Sequence, residues 1–243
     1  MNHHDRPTTR LFLCQTPGRL DNLDSALLGE SERARLEPYR GRRYREFLQS
    51  RLLLRQALSD VVPGRLSPGD WRITERSGQP PLIEEALELG WRYSLSHSRN
   101  WIAIALSNRP PCGVDLEYHR NRRNLLELAE HWFHPEEAKA LADQTDTRQL
   151  ATFYRLWTLK EAMIKSRQQS VFSGLLDRCR FLACPDTEPC DGPLARHFRL
   201  PAFPFSLGLV TGEDTPVQVD FGYPPGSART VQPRITRYRI VED

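Results

Sequence analysis

The chain has 243 residues, a net charge of +3, 39% hydrophobic residues and five cysteines. This is enough apolar material to bury a core, which excludes wholesale disorder, and the charge is too small to make the whole chain a nucleic-acid binder. Cys14, Cys112, Cys179, Cys184 and Cys190 are odd in number and lack paired C-x-x-C spacing, which argues against a disulfide framework or a structural zinc site.

The amino terminus places His3, His4 and Asp5 ahead of an apolar run too short for a signal peptide. No apolar stretch approaches membrane-spanning length, so a cytoplasmic location is expected. Eight arginines from Arg33 to Arg55 form a basic patch that opens a helix expected over about 42–61, followed by strands near 71–74, 92–95 and 101–107. A strand over 112–118 then precedes helices near 124–132, 135–143 and 147–167. Further strands are expected near 178–183, 206–211, 217–221 and 235–241, with the proline-rich stretches 185–193 and 223–233 as loops. A weak echo between Phe47-x-x-x-Arg51-x-Leu53 and Phe153-x-x-x-Trp157-x-Leu159 hints at two related halves, here divided into residues 1–111 and 112–243.

Chemistry concentrates in two short segments of the second half. In the strand Gly113-Val114-Asp115-Leu116-Glu117, period-two geometry turns the carboxylates of Asp115 and Glu117 to one face. In the helix Trp157-Thr158-Leu159-Lys160-Glu161-Ala162-Met163-Ile164-Lys165, Trp157, Glu161 and Lys165 share a stripe beside an apolar one. The chain has 31 arginines but only three lysines, and two of those lie in this helix. Three acids suit a hard divalent ion, magnesium or manganese, that shares its coordination with substrate phosphates. A lysine one turn beyond the third acid can neutralise charge developing on a leaving group.

These paired segments resemble the signatures of the Sfp-type 4'-phosphopantetheinyl transferases, a Gly-[Ile/Val]-Asp-x-Glu strand and a Trp-x-x-Lys-Glu-[Ala/Ser]-x-x-Lys helix, both complete and in the same order. The likeness extends to Ser96-His97-Ser98, to the Gly78-Gln79-Pro80 turn and to Phe133-His134-Pro135-Glu136-Glu137. It implies an α/β (α+β) fold of two pseudo-twofold-related subdomains, each a small sheet packed with helices. The second carries the metal site, and coenzyme A lies in the cleft between them.

The implied reaction moves the 4'-phosphopantetheine arm of coenzyme A to a serine of an apo acyl, aryl or peptidyl carrier protein, leaving adenosine 3',5'-bisphosphate. Asp115, Glu117 and Glu161 are the expected metal ligands, with Glu161 as ligand, base or both and Lys165 as its catalytic companion. Arg42, Arg51, Ser96, His97, Asp115, Lys160 and Lys165 are expected to hold coenzyme A. Gln79 stands where the family often has a lysine, and Arg76 nearby is a substitute. Arg122, Arg123 and Leu125, in a basic and apolar segment beside the metal strand, are expected to meet the carrier. A monomer with no nucleic-acid or membrane partner follows from the same resemblance.

Two rivals remain at this point. A metal-dependent nuclease or phosphodiesterase also uses acids with a lysine, but usually two apart on a strand, whereas Glu161 and Lys165 are four apart on a helical stretch. An RNA-binding module on the arginine-rich helix lacks the interleaved stacking aromatics such binding favours.

Overall fold

A computed structural model describes residues 8–15, 25–169, 173–185, 189–200, 203–221 and 233–243. His3, His4 and nearly all of the 223–233 stretch lie outside them. In chain order the strands are β1 (Thr9–Gln15), β2 (Thr74–Arg76), β3 (Gln79–Leu82), β4 (Arg92–Ser98), β5 (Trp101–Ser107), β6 (Cys112–Tyr118), β7 (Cys179–Cys184), β8 (Leu194–Arg199), β9 (Phe205–Thr211), β10 (Val217–Phe221) and β11 (Arg234–Glu242). The helices are α1 (Glu30–Leu36), α2 (Gly41–Val61), α3 (Glu84–Glu88), α4 (Leu125–Trp132), α5 (Pro135–Ala142) and α6 (Asp146–Ser166).

Two sheets form the frame of this mixed α/β fold: a four-stranded one in the order β10-β1-β5-β4 and a five-stranded one in the order β6-β9-β8-β11-β7. Alternation along β1 and β5 decides what each face of the first sheet meets. Phe12, Cys14, Ile102, Ile104 and Leu106 point to α2, where they pack with Leu54, Leu58 and Trp71. Leu11, Leu13, Ala103 and Ala105 point the other way, against Val114, Leu116, Leu207 and Leu209 of the second sheet. The far face of the second sheet is covered by α6 through Leu159, Ala162 and Met163. Each sheet is thus backed by one helix of 21 residues.

The strand over 217–221 has an unexpected partner. As β10 it runs parallel to β1 and completes the first sheet, so the chain visits the first half before β11 returns to the second sheet between β8 and β7. Two arginines of the patch, Arg51 and Arg55, are buried, and the others are exposed or half-buried. Arg55 is 1% exposed, paired with Glu32 of α1, and donates to the carbonyls of Pro68 (3.1 Å) and Trp71 (2.6 Å). It ties α1 and the loop before β2 to α2. Among the described residues no helix is long and apolar enough to cross a membrane.

Candidate active site

The site is built where α6 lies on β6, and glycine is what lets it lie there. A Cβ on Gly113 would collide with the Ala162 carbonyl oxygen and the Ser166 backbone, and one on Gly208 with the Thr158 carbonyl. Gly113 therefore serves close helix–strand packing. This brings the outward face of β6, with Asp115 and Glu117, under the Glu161 and Lys165 stripe of α6.

Asp115 is buried, and Lys165 Nζ lies 2.7 Å from its Oδ1 while also donating to Ser96 Oγ at 3.1 Å. Asp115 Oδ2 is buried with no hydrogen-bond partner among the described residues. The Glu161 carboxyl is pushed up to about 7, by burial first and then by the Asp115 charge, with Glu117 adding to the rise and Lys165 opposing it. Glu117 is raised by burial and by Asp115, against a hydrogen bond from Ser98 and the charges of Arg122 and Arg120. Three carboxylates and one ammonium therefore share a half-buried seam with an excess of negative charge. The described residues contain no closed set of three or more His, Cys, Asp or Glu ligands. Yet the donor chemistry, all oxygen with one buried oxygen unpartnered, fits a hard divalent cation.

The other residues singled out from the sequence fall into three groups. Arg42 and His97 sit at the mouth of the seam. His97 is exposed at the rim of β4, but enough protein surrounds it that desolvation, ahead of the Glu46, Lys165 and Arg42 charges, holds its pKa below the ordinary histidine value. Arg42 itself is 75% exposed and pairs with Glu46 at 3.2 Å.

A second group is brought near but already has partners within the protein. Ser96 is buried between β4 and β6 and donates to Asp115 Oδ1 at 2.8 Å. Its hydroxyl thus meets the acid site itself, where contact with coenzyme A was expected. Arg51 forks onto Glu75 and lies over the Phe47 ring at 4.5 Å, so its guanidinium is neutralised within the protein.

Lys160 and Leu125 require correction. Lys160 is 1% exposed, and its ammonium is committed to the Glu137 carboxylate (2.7 Å) and the carbonyls of Leu176 (2.6 Å) and Cys179 (2.8 Å). Neighbouring positions on a helix point about 100° apart, so Lys160 faces the interior while Glu161 faces the seam. Glu137 also accepts from the Phe181 backbone at 2.9 Å, which makes the Phe133–Glu137 segment a brace for the back of α6. Leu125 is buried with Ala129, Phe133, Leu141 and Phe153, and the exposed leucine is its neighbour Leu126, at 37%. Arg122 leans on Tyr154, whose hydroxyl accepts from its Nε at 3.2 Å, and Arg123 is exposed.

A cleft of about 1050 Å³ runs beside the seam between α2, the β2–β3 hairpin and β4. Lys165, at one end, belongs to both cleft and seam, and Arg35, Arg76 and Arg92 line the cleft with Gln79. Arg35 belongs to the arginine-rich patch, whereas Arg92 carries no signal of its own in the sequence, because only the fold turns the two toward one space.

A family model described as the 4'-phosphopantetheinyl transferase superfamily matches residues 111–209. A Synechocystis protein, itself assigned to this activity only provisionally, is 32% identical over 70% of this chain and 68% of its own. The 4'-phosphopantetheinyl transferase HetI of Nostoc is 33% identical over 65% of this chain and 66% of its own. The 4'-phosphopantetheinyl transferase AcpT of Escherichia coli is 32% identical over 64% of this chain and 73% of its own. The seam falls within the matched region, and on these likenesses the chain belongs to the 4'-phosphopantetheinyl transferase superfamily of enzymes.

Proposed function

We propose that this enzyme transfers the 4'-phosphopantetheine arm of coenzyme A to the serine hydroxyl of an apo acyl, aryl or peptidyl carrier protein. The observation that carries the reading is the gathering of Asp115, Glu117, Glu161 and Lys165 on one seam that opens, through Lys165, into a large cleft rimmed with arginine. Coenzyme A has a pyrophosphate and a 3'-phosphate, so it needs cationic contacts at two separated points. Lys165 serves the first, and Arg42 with His97 or the cleft arginines the second.

Asp115, Glu117 and Glu161 would hold a magnesium or manganese ion. When bound, such an ion neutralises pyrophosphate charge and makes the phosphorus a better electrophile. The carrier serine oxygen bonds to the β-phosphorus as the bond to the α-phosphate oxygen breaks, releasing adenosine 3',5'-bisphosphate. Glu161, as ligand, base or both, is the residue placed to accept the serine proton. Lys165 places an ammonium beside the charge gathering on the departing phosphate. Lys160, enclosed behind α6, has no part in this.

The carrier docks, in this reading, on the rim formed by Arg122, Arg123 and the exposed Leu126, and the enzyme acts as a cytoplasmic monomer. Incubation with coenzyme A, magnesium and an apo carrier tests the proposal. It expects the carrier to gain the mass of the phosphopantetheine arm at its serine. An unmodified carrier, across acyl, aryl and peptidyl types, counts against it.

A further inference from the structure

The two sheets meet edge to edge where β4 of the first lies beside β6 of the second, and backbone pairing is replaced there by serine hydroxyls. Ser94, Ser96 and Ser98 alternate along β4 and so point the same way. Ser94 Oγ accepts from the Val114 N–H at 2.9 Å, Ser96 Oγ from the Leu116 N–H at 3.2 Å and Ser98 Oγ from the Tyr118 N–H at 3.0 Å. The outer edge of β6 is thereby satisfied without a strand partner.

A hydroxyl that accepts an N–H keeps its own proton to give. Ser96 gives it to Asp115 Oδ1 (2.8 Å) and Ser98 to Glu117 Oε2 (3.2 Å), in each case the side chain just before the N–H it accepts. Ser94 occupies the same place beside Gly113, which has no side chain to hold. The ladder therefore has three identical rungs, two of which end on a carboxylate of the acid pair.

From this geometry we infer that Ser96 and Ser98 are positioning residues. They aim the Asp115 and Glu117 carboxylates, so that the first half of the molecule sets the donor geometry of a metal site carried by the second. The inference rests on the proposed reading of those acids as metal donors. Hydrogen bonds to liganding carboxylates fix their orientation, and their loss typically weakens metal binding about 10–100-fold. Ser94 does only the backbone half of the task and is a control already present in the chain.

The test is Mn²⁺ binding, read from the paramagnetic resonance signal of free Mn²⁺ with and without coenzyme A, alongside thermal melts. Ser94→Ala, Ser96→Ala and Ser98→Ala each remove one bond from the β6 backbone, Ser96→Ala and Ser98→Ala also one to a carboxylate and Ser96→Ala one from Lys165, so each should lower the melting temperature, Ser94→Ala least. Only Ser96→Ala and Ser98→Ala should weaken Mn²⁺ binding, by about tenfold or more, and Ser98→Thr, which keeps the hydroxyl, should restore it. Should the buried Ser96→Ala variant fail to fold, the half-buried Ser98 pair carries the test alone. Equal Mn²⁺ affinity in Ser94→Ala and Ser98→Ala, whether both unchanged or both weakened, overturns the positioning role while leaving the acids as donors. A wild-type protein that binds no Mn²⁺ even with coenzyme A overturns the donor reading itself, and the positioning role with it.

Discussion

The two sides of α6 are furnished with the same residue types and differ in how completely they are closed. Behind the helix, the Lys160 ammonium donates to two carbonyls and lies 2.7 Å from the Glu137 carboxylate, and it is 1% exposed. In front, the Lys165 side chain is 31% exposed, one oxygen of its partner Asp115 has no hydrogen-bond partner, and the Glu161 carboxyl is pushed up to about 7 by burial first and then by the Asp115 charge. A saturated ion pair has no capacity left for a ligand, whereas an unsaturated one keeps free energy in reserve for binding. This difference separates structural from chemical charge in a segment where the lysines are only five residues apart.

Exchanging which side is damaged should break the comparison most visibly. Lys160→Met leaves Glu137 buried without its counter-ion, and removing one partner of a buried pair costs about 3–5 kcal/mol. A denaturant melt should show that loss. An unchanged midpoint would mean the pair behind α6 is not the anchor described above. Glu161→Gln reverses the pattern: it removes one of three crowded acids, so the melt should hardly move, while transfer to a carrier falls by about 10²-fold or more, as it should in Lys165→Met, which also strips the buried Asp115 of its counter-ion. Retention of more than about a tenth of wild-type turnover in either, with carriers that the wild type modifies, would remove that residue from the proposed chemistry.

A third, smaller effect separates the buried interior from the seam by pH. His197 is buried at the second sheet, its Nε2 3.1 Å from Ser206 Oγ, and its pKa is lowered to about 3, chiefly by burial and then by the Arg155 charge. The folded protein thus keeps it neutral while the unfolded chain takes up a proton below pH about 6.5. Its contribution to stability is complete above that pH and is lost as pH falls toward 3, at about 1.4 kcal/mol per unit. Between pH 6.5 and 5 the wild type should lose about 2 kcal/mol more than His197→Gln. Parallel acid limbs for the two proteins would show that His197 protonates without unfolding.

Much of this arrangement was legible in the sequence wherever periodicity carried it. The strand at 112–118 and the helix around 147–167 follow from alternation and from i, i+4 spacing, and both appear with ends shifted by at most a residue or so. What stayed hidden depends on which direction a side chain takes. Lys160 and Glu161 are adjacent in sequence, and only the pairing of Lys160 with Glu137 shows that one faces inward. Leu125, expected at the rim, is buried for the same reason, while its neighbour Leu126 is exposed. β8 escaped notice because Arg196 and His197 are buried in it, so its pattern reads as polar; Arg196 is paired with Asp214 at 2.6 Å. The pairing of β10 with β1 joins residues some 200 apart, which no local pattern encodes. Serines at every second position of β4 were visible, but their meaning required β6 to lie alongside.

The smallest expected effect concerns the rim beyond the seam. Arg122 is propped on Tyr154, with its Nε 3.2 Å from the ring hydroxyl, and Arg123 and Leu126 are exposed beside it. A carrier acidic around its serine would meet this rim without touching the acids. Reversing both charges, Arg122→Glu with Arg123→Glu, should raise the KM for the carrier several-fold, with an effect that shrinks as salt screens it, and leave coenzyme A affinity unchanged. Because Arg122 also lowers the Glu117 pKa, Arg123→Glu alone is the cleaner probe: its charge is not among those that act on Glu117. If that single change leaves the carrier KM untouched at low salt, docking lies elsewhere on the surface. If it instead lowers turnover with KM unchanged, the rim acts on the chemistry and not on the encounter.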